Sequence, residues 1–299
     1  MNAAALAFAL GGVREGRGWR CHCPSHGGRS LVVADDDRKL LVHCFGGCEW
    51  QDVFAALRSQ GLIGQLLSDL DPDQDNGQFH NQKKASAEAE IEKIARAVAR
   101  ARDLYRRSKP ANATPVETYL RSRGITLPIP PVLRFLRYCP HRNGKYYPAM
   151  VAPIVNVHGE LIASHKTFLK PDGSGKADLP KEEQRETVGP FKGGTVRLSP
   201  HRPNTELLIG TGIETTIAAI QLFELPGWSA VCDTGLKALD LPSEIRSVLI
   251  AADNDTSGSG HDAALSAHVR WTAEGRPARI FMPPNQGEDF NNVLLSRSR

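Results

Sequence analysis

The chain has 299 residues, of which 40% are hydrophobic and 23% charged, and its formal net charge is +4. This composition predicts two or three folded domains with apolar cores. No run of about 18 apolar residues occurs, which excludes a membrane-spanning segment. Six cysteines in a chain of this length do not predict a disulfide scaffold, and we expect a protein of the reducing cytoplasm. The apolar opening MNAAALAFALGG lacks a basic segment and predicts a short helix rather than a signal peptide.

Residues 1–64 carry the elements of a small zinc-ribbon-like domain. After the first helix comes a Cys/His cluster, then SLVVADDDRKLLVHC, in which two apolar runs flank a DDD turn and predict a hairpin. The segment WQDVFAALRSQG predicts a helix. Residues 65–88 are rich in Asp, Asn, Gln and Gly and predict a mobile linker.

The middle of the chain combines helices with short β-type runs. Apolar residues at helical spacing predict a basic amphipathic helix over 87–108, so 65–109 form an acidic linker followed by a basic helix. Thr114 is a predicted N-cap for a second helix that ends at Gly124. The run MVAPIVNVHGELIASHKTFL predicts a hairpin with His158 and Gly159 at its turn. We assign 110–202 to a basic α+β subdomain.

From residue 203 to 299 strands alternate with helices, which predicts a mostly parallel sheet in an α/β domain.

Basic residues dominate the segment 93–142, where Asp103 and Glu117 are the acidic residues that oppose them. This bias favours a polyanion such as nucleic acid as the partner, although charged helices are often only solvated surfaces. The basic residues are Lys93, Arg96, Arg100, Arg102, Arg106, Arg107, Lys109, Arg121, Arg123, Arg134, Arg137 and Arg142.

Two pairs of metal-binding residue types flank the first hairpin. Cys23 and His26 form one pair, and Cys44 and Cys48 form the other. Zinc prefers four N/S ligands in a tetrahedron, and four protein ligands indicate a structural rather than a catalytic site. The alternative is a set of buried free thiols. Cys21, His22 and His43 are neighbours of the cluster rather than predicted ligands.

Two carboxylates follow a predicted buried strand in the segment SVLIAADNDTSGSGHD. Asp253 and Asp255 stand two residues apart, so on extended backbone their side chains point to the same side. Carboxylates placed this way suit Mg²⁺, which takes one or two of them together with phosphate oxygens. The alternative is a polar turn that caps the next helix.

Glu214 lies in the first turn of the helix that follows another apolar strand, in the run LLIGTGIETTIAAIQ. If the two strands are neighbours, Glu214, Asp253 and Asp255 meet at one sheet edge and bind one or two Mg²⁺ or Mn²⁺ ions. The alternative for Glu214 is a solvated glutamate at a helix start.

These motifs resemble a known family. The segment with Cys23, His26, Cys44 and Cys48 resembles the zinc-binding domain of bacterial and phage replicative primases, and 203–299 resembles a Toprim domain that closes with DFNNVL. The span 110–200 is similar to primase-like proteins of plasmids, phages and integrated elements.

The resemblance implies template-directed synthesis of RNA primers from ribonucleotides on single-stranded DNA, with a replicative helicase as a possible partner. The zinc domain would contact the template, and Glu214, Asp253 and Asp255 would be catalytic and hold the metal. We expect further nucleic-acid or nucleotide contacts from the basic residues Lys166, Lys176, Lys192 and Arg197.

One residue departs from the family pattern. The glutamate that precedes the glycine after the first Toprim strand is Thr211 here, and Thr211 can neither act as a base nor add charge to a metal site. Glu214 is the predicted substitute. The alternatives are a catalytically impaired DNA-binding module that recruits a replication partner, and a Toprim nuclease.

Overall fold

The computed structural model describes residues 3–36, 39–63 and 72–297. The chain divides into two compact units, Met1–Ser86 and Ala87–Arg299. Within the described ranges, no helix is long and apolar enough to cross a membrane.

A four-stranded antiparallel sheet in the order β1-β2-β3-β4 forms the centre of the N-terminal unit. Leu31 and Val33 alternate along β3 and face the same core as Leu6, Val53 and Leu57, as expected for a strand with one buried face. The structure therefore contains the hairpin and the helix after it. The elements are α1 (Ala3–Ala9), β1 (Val13–Glu15), β2 (Gly18–Cys21), β3 (Leu31–Asp36), β4 (Lys39–Cys44) and α2 (Trp50–Ser59).

A long helix, α3 (Pro72–Arg107), covers most of the segment that the sequence predicted to be a linker. From Pro72 onward this segment is helical, which the sequence did not predict, while residues 64–71 lie outside the described residues. Proline suits the first helical turn, and the Gln, Lys, Ala and Glu residues after it are good helix formers. Lack of apolar residues therefore did not prevent a helix here.

The second unit contains an antiparallel sheet in the order β5-β6-β7-β8-β9. The predicted N-cap is present, since the Thr114 hydroxyl accepts a hydrogen bond from the Val116 N–H at 3.2 Å, and the predicted hairpin joins β7 and β8. The elements are β5 (Lys109–Pro110), α4 (Pro115–Ser122), β6 (Arg134–Pro140), β7 (Tyr146–Val155), β8 (Leu161–Phe168), a 3-10 turn (Lys181–Glu183) and β9 (Arg185–Val188).

The second sheet of this unit has the order β10-β12-β11-β13-β14. The last four of these strands are parallel and β10 is antiparallel, so the predicted mostly parallel sheet is confirmed. Its elements are β10 (Val196–Arg197), β11 (Leu207–Gly210), α5 (Ile213–Phe223), β12 (Gly227–Ser229), α6 (Asp233–Ala238), β13 (Val248–Ala251), α7 (Ser259–Ala273), β14 (Ala278–Phe281) and α8 (Phe290–Arg297).

The two sheets of this unit share one apolar core. Leu120 and Ile154 from the middle of the chain belong to the same buried cluster as Leu208, Ile217 and Phe290 from the C-terminal part. Strand β10 precedes residue 203 yet pairs with β12. Residues 110–202 and 203–299 therefore pack as one body.

Candidate functional site

Four side chains of the N-terminal unit converge on one point. The ligand atoms of Cys23, His26, Cys44 and Cys48 all lie within 4.8 Å of one another. His26 Nε2 is 3.3 Å from Cys44 Sγ, and Cys23 Sγ is 4.0 Å from Cys48 Sγ. Tetrahedral zinc with Zn–S bonds of about 2.3 Å separates its sulfur ligands by roughly 3.8 Å. The four residues predicted as zinc ligands therefore fit that metal.

Glycines and hydrogen bonds shape this cluster locally. A Cβ at Gly46 would lie 2.6 Å from His26 Nε2, so a larger residue would displace the imidazole. Burial opposes ionisation of Cys44, but hydrogen bonds from the Ser30 hydroxyl and the Gly46 N–H lower its pKa to about 6. Since the thiolate is the form that binds metal, Cys44 is prepared for that role.

The neighbouring candidates stay outside the cluster. Cys21 is buried, and its Sγ lies 3.8 Å from the Trp19 carbonyl. His43 is exposed and packs edge-on against Phe45, with ring centroids 4.6 Å apart. The structure thus brings together the four residues predicted as ligands and leaves Cys21 and His43 outside that group.

The second candidate site is the carboxyl edge of the parallel sheet. Register pairs Gly210 of β11 with Ala251 of β13, which brings Thr211 to the residues that follow β13. The Thr211 hydroxyl donates to Asp253 Oδ2 at 3.3 Å. The other oxygen, Asp253 Oδ1, is buried and has no hydrogen-bond partner among the described residues.

Asp253 and Asp255 occupy opposite electrostatic environments. Burial, together with the negative charges of Asp289, Asp233 and Asp255, raises the pKa of Asp253 to about 6. In contrast, hydrogen bonds from the Ser257 hydroxyl and the Gly260 N–H lower the pKa of Asp255 to about 2. The Gly260 bond is 2.8 Å long and ties Asp255 to the start of α7.

Among the described residues, the carboxylates of this edge do not form a group of three that shares one ion, but Asp253 and Asp255 offer two of the oxygen ligands that a divalent cation takes. Carboxylate oxygens are the ligands that Mg²⁺ prefers, and a cation would satisfy the buried Asp253 Oδ1 and offset the repulsion among the acids. Sequence reasoning missed Asp233 and Asp289. Both follow a parallel strand along the chain, so the rule that such strand ends share one edge would have found them.

Glu214 belongs to a separate polar cluster. It is buried, with 5% of its surface exposed, so the alternative of a solvated glutamate is wrong. The Tyr119 hydroxyl donates to Glu214 Oε1 at 2.7 Å, and Lys176 Nζ lies 3.6 Å from the same oxygen. Burial opposes ionisation, yet the positive charges of Lys176 and Arg185 lower the pKa of Glu214 to about 2.

The three acidic residues Glu214, Asp253 and Asp255 do not converge on one point as the four zinc-ligand candidates do. In the part of the chain that the structure describes, Cys23, His26, Cys44 and Cys48 form a group able to share one ion, whereas Glu214, Asp253 and Asp255 do not form another. The partners of Glu214 come from α4 and from the segment after β8, which no local pattern links to it.

The four basic candidates have different environments. Lys166 is buried, and its ammonium donates to Glu186 at 2.6 Å and to the Pro140 carbonyl at 2.8 Å. Arg197 donates to the carbonyls of residues 156 and 157 and stacks on Trp228 at 4.5 Å. These two are engaged within the protein, Lys176 pairs with Glu214, and Lys192 is exposed.

Two family models match the second unit. Residues 206–299 match the Toprim domain, and residues 95–198 match a domain of unknown function, DUF7146. The C-terminal part of the chain is therefore a Toprim domain, as the sequence predicted. No curated protein matches the chain.

Among solved structures, the chain is similar to several primases. It has a TM-score of 0.45 and 14% identity with the zinc-binding and RNA polymerase domains of the Aquifex aeolicus primase, covering 98% of this chain and 79% of that one. With the DnaG primase catalytic domain bound to ssDNA it has a TM-score of 0.43 and 15% identity, covering 69% of this chain and 77% of that one. With the primase fragment of the bacteriophage T7 primase-helicase protein it has a TM-score of 0.39 and 12% identity, covering 60% of this chain and 65% of that one. Similarity at this level does not define an activity.

Proposed function

We propose that this protein is a primase-like enzyme that synthesises RNA primers from ribonucleotides on single-stranded DNA, for the replication of a mobile element. The observation that carries the proposal is the buried, unpartnered Asp253 Oδ1 at the acidic edge of a Toprim domain. Buried polar groups in folded proteins are normally paired with protein, ordered water or an ion, and the negative charges of Asp289, Asp233 and Asp255 around Asp253 favour a cation.

Asp253 and Asp255 would hold Mg²⁺ or Mn²⁺, with Asp289 and Asp233 close to Asp253. The bound ion supplies charge stabilisation to the phosphates of the nucleotide during transfer. Thr211 fixes one oxygen of Asp253 by its hydrogen bond, and the start of α7 fixes Asp255. These contacts preorganise the two carboxylates, which lowers the cost of ordering them when a ligand binds.

Glu214 as a third ligand remains a prediction. To reach an ion at Asp253 it would have to leave Tyr119 and Lys176. In its present position Glu214 instead holds the Lys176 ammonium in place, and Lys176 and Lys192 are the basic candidates that we assign to nucleotide or template contacts. The Cys/His cluster would hold structural zinc, and a replicative helicase is a possible partner.

Primer synthesis tests the proposal. Purified protein is incubated with single-stranded DNA, labelled ribonucleotides and Mg²⁺ or Mn²⁺, and the products are separated on a denaturing gel. We expect short RNA products from wild type and from Asp262→Asn, which changes an exposed aspartate on α7, and none from Asp253→Asn. Wild type without products under either metal, or Asp253→Asn with wild-type activity, would contradict the proposal.

The same assay identifies the other two functions. If wild type binds DNA without synthesis and Thr211→Glu creates activity, the protein is a catalytically impaired module that recruits a partner. If the input DNA is shortened, it is a Toprim nuclease.

A further inference from the structure

The hairpin of β6 and β7 carries two large aromatic side chains in solvent. Tyr138 is 66% exposed and Tyr146 is 65% exposed. Their neighbours Cys139 and Tyr147 turn to the other side of the sheet and pack in a core with Phe168. Tyr138 and Tyr146 are therefore available for contact with a ligand.

The strand register brings the two tyrosines near each other on the hairpin. Tyr146 pairs with Pro140, and Tyr147 pairs with Cys139. Tyr138 stands two residues before Pro140 and lies within a β-bulge between Leu136 and Cys139. Bulges commonly reorient a side chain, and Tyr138 is exposed here, as Tyr146 is.

A basic residue precedes each of the two tyrosines along the chain. The Arg137 guanidinium lies 5.5 Å from the centroid of the Tyr138 ring. Lys145 is exposed and precedes Tyr146, while Arg142 lies at the turn and pairs with Glu186 at 3.2 Å. Aromatic rings combined with cationic side chains are the surface that single-stranded nucleic acids bind, since bases stack on the rings and phosphates meet the cations.

We propose that Tyr138 and Tyr146 form a stacking site for the bases of single-stranded DNA. The site rests on the proposed function for the identity of its ligand. Stacking of this kind tolerates any base, so the hairpin would hold template without selecting sequence.

The test uses the full chain and an oligothymidylate that contains 5-iodouracil. Long-wavelength ultraviolet light cross-links this base to an aromatic side chain in contact with it, and mass spectrometry of the peptides locates the link. We expect links at Tyr138 or Tyr146. A fluorescence anisotropy titration with a fluorescein-labelled oligothymidylate should show Kd raised about tenfold for each of Tyr138→Ala and Tyr146→Ala.

Two controls separate stacking from other effects. Tyr138→Phe and Tyr146→Phe keep the rings and should retain wild-type Kd, as should Leu265→Ala, which truncates an exposed residue of α7. If wild type binds and both alanine variants bind equally well, with cross-links elsewhere, the stacking site is refuted while primer synthesis stands. If wild type fails to bind single-stranded DNA at all, the stacking site and the proposed function both fail.

Discussion

The Cys/His cluster and the acidic edge both gather metal-binding side chains, but they do so over different distances along the chain. The cluster takes its four ligands from two turns within residues 23–48, joined by one hairpin. The edge takes Asp253 and Asp255 from one strand end and Asp233 and Asp289 from others. Local geometry decides the first site, and the pairing of distant strands decides the second.

This difference has energetic consequences. In the cluster, burial opposes ionisation of Cys44, but hydrogen bonds from Ser30 and Gly46 lower its pKa and favour the thiolate that binds metal. Removing this ligand should affect metal binding and folding together. At the edge, burial and the negative charges of the neighbouring aspartates raise the pKa of Asp253, so this carboxylate is destabilising until a cation binds. Removal of Cys44 and removal of Asp253 should therefore change stability in opposite directions.

The largest effect is expected for the zinc cluster. Cys44→Ala should abolish zinc binding and unfold the N-terminal unit, because structural zinc contributes about 10–16 kcal/mol of binding free energy in small domains. Elemental analysis should find one zinc per wild-type chain, and hydrogen exchange should show loss of protection in β3 and β4. His43→Ala, beside the same ligand, should keep both. Retention of zinc by Cys44→Ala would contradict the assignment of Cys44 as a zinc ligand.

The buried ion pair should give the next largest effect. Lys176→Met leaves the Glu214 carboxylate without its nearest cation and should lower the free energy of unfolding by about 3–5 kcal/mol. The double variant Lys176→Met/Glu214→Gln should recover most of that loss. Urea unfolding measures both, with Lys192→Met as the exposed control, expected within about 0.5 kcal/mol of wild type.

The pH dependence of this pair has a definite sign. The pKa of Glu214 is lowered to about 2, so its contribution is present above the unfolded value near 4.5 and is lost as the pH falls toward 2. Glu214→Gln should remove this acid sensitivity. If Lys176→Met were as stable as wild type, the ion pair between Lys176 and Glu214 would not contribute to the free energy of unfolding.

Asp253 should behave in the opposite way. Because its pKa is raised to about 6, wild type without added Mg²⁺ or Mn²⁺ should lose stability as the pH rises from about 4 through 6. Asp253→Asn should then be more stable than wild type at neutral pH, by about 1–3 kcal/mol. Asp255→Asn should be less stable, since the lowered pKa of Asp255 reflects favourable hydrogen bonds. Thermal unfolding of zinc-loaded protein without added Mg²⁺ or Mn²⁺ compares the two, and equal responses would contradict the assignment.

The smallest effect concerns Lys192, the exposed basic candidate. If Lys192 contacts a phosphate, Lys192→Ala should reduce the slope of log K against log salt concentration by about 1. Arg246→Ala provides the control, because Arg246 is exposed and precedes β13 at the end of the sheet opposite the acids. An unchanged slope for Lys192→Ala would remove this residue from the interface.

The contrast between the two sites also explains what the sequence predicted. Cys23, His26, Cys44 and Cys48 lie in short-range pairs, so their convergence follows from spacing. The positions of Asp253 and Asp255 at a sheet edge follow from the strand pattern. Glu214 contacts Tyr119 and Lys176, which lie 95 and 38 positions before it in the sequence. Only tertiary packing brings these residues together. The same holds for the burial of Lys166 against Glu186.

The claim that Asp253 binds a divalent cation is tested most directly by measuring cation binding at the acidic edge. Zinc-loaded protein is titrated with Mn²⁺, and the free ion is followed by its electron paramagnetic resonance signal, for wild type, Asp253→Asn and Asp262→Asn. We expect wild type and Asp262→Asn to bind Mn²⁺ alike and Asp253→Asn to bind it at least about tenfold more weakly, since a charged ligand is lost. Equal Mn²⁺ affinity in wild type and Asp253→Asn would contradict the claim that Asp253 holds the ion.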